Sequence, residues 1–237
     1  MTGVILAAGK GSRLGELTED TPKSLLELSK GNTLLDFNLQ MLSKLGVKEI
    51  LIVTGFQFGK IEEKVKEYSQ LHITTIHNPF WDQCNVLGSL YMALPHLKDN
   101  FLFLHADTLV EEKVWRRLIR SGEDIVLPFE KKKCGSEEMK VQHNEHGSLI
   151  KISKEIEHDQ ADGEFLGIAK FSSHMIEFLK HQSKYLFYKK GLQLYMEEAV
   201  QAAIELDQKV STFDIEDAKF IEVDFNEDLQ KAREIFG

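Results

Sequence analysis

Gly9, Gly11, Arg13 and Lys23 have the types and the spacing to handle phosphate. They stand in Leu6-Ala7-Ala8-Gly9-Lys10-Gly11-Ser12-Arg13-Leu14 and, a little further on, in Pro22-Lys23. Glycines let a backbone approach a phosphate and aim its N–H groups at it. An arginine forks onto phosphate oxygens, and a lysine adds a point charge. The loop follows the apolar run Val4 to Ala8. That places it at the carboxyl end of a predicted strand, where open α/β sheets bind ligands. A dinucleotide fingerprint fails because Leu14 stands where the third glycine belongs, which removes an NADP-linked oxidoreductase. A P-loop fails because Gly9-Lys10-Gly11 lacks the required Gly-Lys-Ser/Thr at its fixed distance.

The elements that must position these residues follow from apolar patterning. Short buried strands are predicted at Ile50–Val53, Ile73–Ile76, Phe101–Leu104 and Ile125–Leu127. Between them run helical repeats: Leu34 to Leu45 closed by Gly46, Ile61 to Tyr68, Val86 to Leu94 stopped by Pro95, and a stretch from Val114 to Ile119. Such alternation argues for a parallel sheet covered on both faces. Beyond it the pattern changes. Met139 to Ile156 reads as a hairpin turning at Glu145-His146-Gly147, and Phe165 to Phe171 as a further strand. A helix from Tyr195 to Leu206 and late strands at Ser211–Phe213 and Phe220–Phe225 follow. The last helix, Asn226 to Phe236, takes Asn226 as its N-cap.

Composition bounds the rest. The 237 residues are 42% hydrophobic and 28% charged, as in a globular chain with a sizeable core. A net charge of −9 argues against a general nucleic-acid binder, which needs a basic footprint. No apolar run nears the roughly 20 residues of a membrane span, and Met1 to Ala8 does not read as a secretory signal. Cys84 and Cys134 lack CxxC spacing, which favours a reducing, cytoplasmic setting and no zinc site. Nor do the nine histidines show paired ligand spacing.

The glycine loop, followed by Pro22-Lys23-Ser24-Leu25-Leu26, resembles the signature of the nucleotidyltransferases that make sugar nucleotides and related activated alcohols. The resemblance implies an α/β, Rossmann-like fold: a mixed, mainly parallel sheet with helices on both faces and a small antiparallel inserted subregion. It implies one catalytic domain over 1–237, with a nucleotide-binding part near 1–125, an acceptor-binding insertion near 126–215, and a closing strand and helix over 216–237. The reaction would join a phosphate monoester to the α-phosphate of a nucleoside triphosphate and release pyrophosphate. Leu6, Ala7, Ala8, Gly9, Gly11 and Ser12 would cradle the nucleotide, Arg13 its β/γ-phosphates and Lys23 its α-phosphate. Asp107, in His105-Ala106-Asp107 where relatives commonly have glycine before the aspartate, and Asp224 near the chain's end would hold Mg²⁺. Hard oxygen ligands suit that ion.

The segment Asn78 to Tyr91 resembles the small cytidylyltransferases acting on phosphocholine or 2-aminoethylphosphonate. This points to CTP, with Asn85 and Ser89 as candidates for base or ribose. Lys154 is the candidate for the acceptor's phosphate, with Lys151 its rival, and Lys131-Lys132-Lys133 reads as a solvated loop or a lid. A choline-like cation would want aromatic faces. Tyr188 and Tyr195, with Glu198, are taken for the acceptor; Trp81, Tyr91, Tyr185 and Glu197 are further candidates. A phosphorylated amino-acid derivative such as phosphoglutamine stays open, as does a homodimer. Two readings compete: a hexose-1-phosphate nucleotidyltransferase using UTP, dTTP or GTP, and a non-catalytic nucleotide-sensing subunit.

Overall fold

Successive residues of a strand point to opposite faces of its sheet, so an unbroken apolar run needs cover on both sides. The computed structural model, which describes residues Met1 to Gly237, shows that arrangement. The first half runs β1 (Thr2–Ala7), β2 (Glu27–Ser29), β3 (Asn32–Thr33), α1 (Leu34–Lys44), β4 (Glu49–Thr54), α2 (Phe58–Val65), β5 (His72–His77), α3 (Val86–Ala93), β6 (Phe101–His105), β7 (Thr108–Val110) and α4 (Glu112–Arg120). The second half runs β8 (Ile125–Glu130), β9 (Lys140–His143), β10 (Leu149–Ser153), β11 (Gly163–Phe165), β12 (Ile168–Phe171), α5 (Met175–Lys190), α6 (Met196–Glu205), β13 (Val210–Asp214), β14 (Phe220–Glu222) and α7 (Asn226–Phe236).

One mixed sheet carries both halves. Its order is β5-β4-β1-β6-β12-β8-β11-β9-β10, with β13 beside β8. The strands β5, β4, β1 and β6 are parallel, as βαβ crossovers require. The antiparallel pairs begin at β12 and continue to β10, so the inserted subregion extends the main sheet. Val4, Val53, Phe103 and Ala169 face α3, α5 and α6 through Leu90, Leu179 and Val200. Their neighbours Ile5, Ile52, Leu102 and Leu104 face α1, α2 and α4 through Leu39, Ile61 and Trp115. No helix is long and apolar enough to cross a membrane.

Local chemistry sets several boundaries. Thr33 Oγ1 accepts from the Asp36 N–H at 3.2 Å, and Asp36 Oδ2 accepts from the Thr33 N–H at 2.7 Å, a reciprocal cap that starts α1. The predicted hairpin forms, with β9 and β10 antiparallel. Three features differ from expectation. The strand expected over Phe165–Phe171 is split, because Gly167 takes φ +72° between β11 and β12. Helix α5 was not anticipated: Met175, Ile176, Leu179 and Leu186 keep a helical spacing, but Ser183 sits in the same buried row and weakens the apolar signal. The N-cap of α7 is Phe225 and not Asn226, because Asp228 Oδ2 accepts from the N–H groups of Phe225 (2.9 Å) and Asp224 (3.2 Å) and draws the helix start back one residue.

Candidate active site

The loop after β1 turns at Gly11, whose φ of +72° and ψ of 41° are left-handed. A Cβ there would lie 2.8 Å from Lys23 Cβ, so the glycine serves both the turn and the packing of the lysine stem. Thr18 Oγ1 donates to the Gly11 carbonyl at 2.8 Å and ties the loop to the tight turn Ser12–Thr18. Leu6, Ala8, Gly9 and Arg13 line a cavity of about 620 Å³. Ala7 is buried in the sheet, while Gly11 and Ser12 shape the loop without lining the cavity.

Asp107 stands two residues past the end of β6, and Asp224 two residues past the end of β14. Strand β14 pairs antiparallel with β7, Glu222 opposite Thr108, and the Val223 N–H donates to the Asp107 carbonyl at 3.1 Å. This pairing brings together two aspartates far apart in sequence. Lys23 Nζ lies between them, 2.5 Å from Asp107 Oδ2 and 2.7 Å from Asp224 Oδ1. Arg13 Nη1 is 3.1 Å from Asp224 Oδ2, and its Nη2 is 3.3 Å from Glu137 Oε2. Burial alone would lower the pKa of Lys23, but the Asp107 and Asp224 carboxylates overcome it and raise the net value. Burial would raise that of Asp224, but Lys23, Arg13 and Lys154 hold the carboxyl below its usual range.

The carboxylates fit a hard divalent cation. Asp107 and Asp224 already share one cationic partner, and Asp107 Oδ1 is buried with no hydrogen-bond partner. His105, Asp107 and Glu222 also offer ligand atoms within 4.8 Å of one another. Glu222 was not singled out from sequence, although strand alternation puts it on the same face as Asp224, two residues later. His105 Nδ1 lies 3.5 Å from Glu222 Oε1. Burial would lower the His105 pKa, yet Glu222, Asp107 and Glu197 carry it up to about 9. Gly167 makes room for this ring, since a Cβ there would lie 3.0 Å from His105 Nδ1.

The other candidates divide. Asn85 and Ser89 line the cavity, Asn85 Oδ1 capping α3 at the Val86 N–H (2.8 Å) and Ser89 Oγ accepting from Asn78 Nδ2 (3.1 Å). Trp81 lines it too, whereas Tyr91 packs edge-on against Phe187 at 5.6 Å. Lys132 does not lie in a wholly solvated loop. It enters the cavity, 2.5 Å from Glu164 and 3.5 Å from Glu130. Lys154 Nζ sits over the Tyr195 ring at 5.3 Å, and both residues line this cavity and a neighbouring one of about 1020 Å³. Glu198 lines the second cavity, 3.2 Å from Lys190, together with Tyr185 and Lys151. Tyr188 is a correction: it lies three residues beyond Tyr185 on α5, turns to solvent at 83% exposure, and lines neither cavity.

The Rossmann-like sheet and the glycine loop at its strand ends define a nucleotidyltransferase. The chain belongs to the MobA-like NTP transferase domain family, whose model matches residues 3–204. It is 26% identical over 252 residues to the CTP:phosphoglutamine cytidylyltransferase of Campylobacter jejuni, covering 97% of this chain and 98% of that one. The inositol-1-phosphate CTP transferase from T. maritima shares the fold, with a TM-score of 0.83 at 23% identity over 98% of this chain and 93% of that one. The CTP:phosphocholine cytidylyltransferase from Streptococcus pneumoniae also shares it, with a TM-score of 0.78 at 21% identity over 100% and 99%.

Proposed function

We propose that the protein transfers a cytidylyl group from CTP to a small phosphate monoester or phosphonate and releases pyrophosphate. The observation that carries this reading is Lys23, held between Asp107 and Asp224 beside the glycine loop. Phosphoryl transfer asks a protein chiefly for alignment and charge neutralisation. The loop from Ala8 to Ser12 cradles the phosphates, Arg13 grips the β/γ end, and Lys23 neutralises charge at the α-phosphate. Asp107 and Asp224 would hold Mg²⁺, which when bound offsets the triphosphate's charge. Asn85 and Ser89 contact the base or ribose, and Lys154 receives the acceptor's phosphate beside Tyr195 and Glu198. Residues 1–125 serve the nucleotide, 126–215 the acceptor, and 216–237 close the site through Asp224.

The choice of CTP is supported by the segment Asn78 to Tyr91 and by the relatives named above, each of which is named for its use of CTP. Pyrophosphate release across the four NTPs, with phosphocholine, 2-aminoethylphosphonate, phosphoglutamine, inositol 1-phosphate and glucose 1-phosphate, tests it. Turnover is expected with CTP. Turnover of glucose 1-phosphate with UTP or dTTP and none with CTP would replace this reading with the hexose-phosphate one. CTP binding without turnover of any acceptor would favour a sensing subunit.

A further inference from the structure

Glu197 is a buried carboxylate with one oxygen left unpaired, in the field of His105. It stands in the first turn of α6, is 3% exposed, and lines both cavities at the place where they meet. Its Oε2 has no hydrogen-bond partner. A buried carboxylate oxygen left unpaired is costly, so native proteins rarely keep one without a use. Burial pushes its pKa up, the direction expected of an acid short of partners.

The neighbouring cations make their close contacts elsewhere, although the field of His105 still reaches Glu197. Lys132 pairs with Glu164 and Glu130. His105 Nδ1 faces Glu222. Lys154 lies over the Tyr195 ring, and Lys190 pairs with Glu198. The cavity wall is mixed: Glu130, Glu164 and Glu222 stand with Lys132, Lys154 and His105, and carboxylates outnumber cations over the whole lining. A neutral hydroxyl would supply Glu197 with a hydrogen bond but no charge. A quaternary ammonium would supply charge but no hydrogen bond. A protonated primary amine supplies both, in one charge-assisted contact.

We propose that Glu197 selects the acceptor by receiving a primary ammonium N–H, so that the preferred acceptor carries a protonated amine beside its phosphate or phosphonate. The inference deepens the reading above and rests on this cavity being the acceptor's. Lys154 and Glu197 both line the two cavities and Asp224 lines the first, so the phosphate-gripping lysine and the amine-receiving carboxylate face the same space.

The test compares phosphoethanolamine, phosphocholine and inositol 1-phosphate on the wild-type protein and on Glu197→Gln. Calorimetric binding of each is measured without CTP, and kcat/KM is measured with it. Phosphoethanolamine should exceed phosphocholine by about tenfold or more in both readouts, the range of a charged hydrogen bond. In Glu197→Gln, which keeps the side chain's shape, that ratio should fall to near unity while the affinity for CTP stays unchanged and the melting temperature does not fall. Wild-type preference for phosphocholine or inositol 1-phosphate, or an unchanged ratio in Glu197→Gln, would overturn the inference. If the binding ratio behaves as expected but CTP is never turned over, the cytidylyltransferase reading fails and the role of Glu197 stands.

Discussion

Two lysines, one in each half of the chain, are held in opposite ways. Lys23 is buried against Asp107 and Asp224 at 2.5 and 2.7 Å. Lys154 rests on the face of Tyr195 at 5.3 Å. The first lies in a preset frame, where loop, strand ends and carboxylates fix its ammonium. The second lines both cavities with no ion pair to fix its ammonium. In the proposed reaction a preset charge would serve the ligand part common to all substrates, the triphosphate, because preorganised groups need not reorganise during reaction. An adaptable one suits the part that varies between acceptors.

Substitutions should separate the two halves by kind of effect. Asp107→Asn should reduce metal-dependent turnover below detection, since it removes a ligand charge at the strand end; pyrophosphate release against a metal titration reads this, and normal activity would remove Asp107 from the site. Lys23→Ala should lower kcat by about 10²–10³-fold, comparable to losing one preorganised donor, with the circular dichroism of the fold retained. Lys154→Ala should act mainly on the acceptor, raising its KM by about tenfold with the KM for CTP nearly unchanged. An equal rise in both would show that the halves are not separate in function.

The smallest effect belongs to Lys140. It is 1% exposed, and its Nζ donates to the Lys154 carbonyl at 2.5 Å. Lys140→Met keeps the volume and removes a buried charge, so thermal stability should change by only about 1 kcal/mol. The acceptor's KM should still rise a few-fold, because the backbone bearing Lys154 loses its anchor. Unchanged acceptor kinetics would show that Lys154 does not depend on that anchor.

The first half was the easier to read. Its loop, Pro22-Lys23 and the strand–helix alternation are contiguous, and their meaning rests on local rules of turn geometry and apolar period. The hairpin β9–β10 was legible for the same reason. Helix α5 was missed because Ser183 and its many charged and aromatic positions blur the apolar row, and with it went the direction of Tyr188. The break at Gly167 depends on a histidine ring 62 residues earlier, beyond any local pattern. Glu197 is a further acceptor candidate from sequence, but its burial was not legible, since burial by distant strands leaves no mark on its sequence neighbours.

Linear order alone was enough for the class of chemistry: glycines, an arginine and a lysine at a strand's end specify phosphate handling because backbone approach and charge are properties of a short segment. The partnership of Asp107 with Asp224 came only with the pairing of β7 and β14, across 117 residues. The same holds for the unpartnered oxygen of Glu197, because hydrogen-bond satisfaction depends on which side chains packing brings close, and packing is a sum over the whole fold.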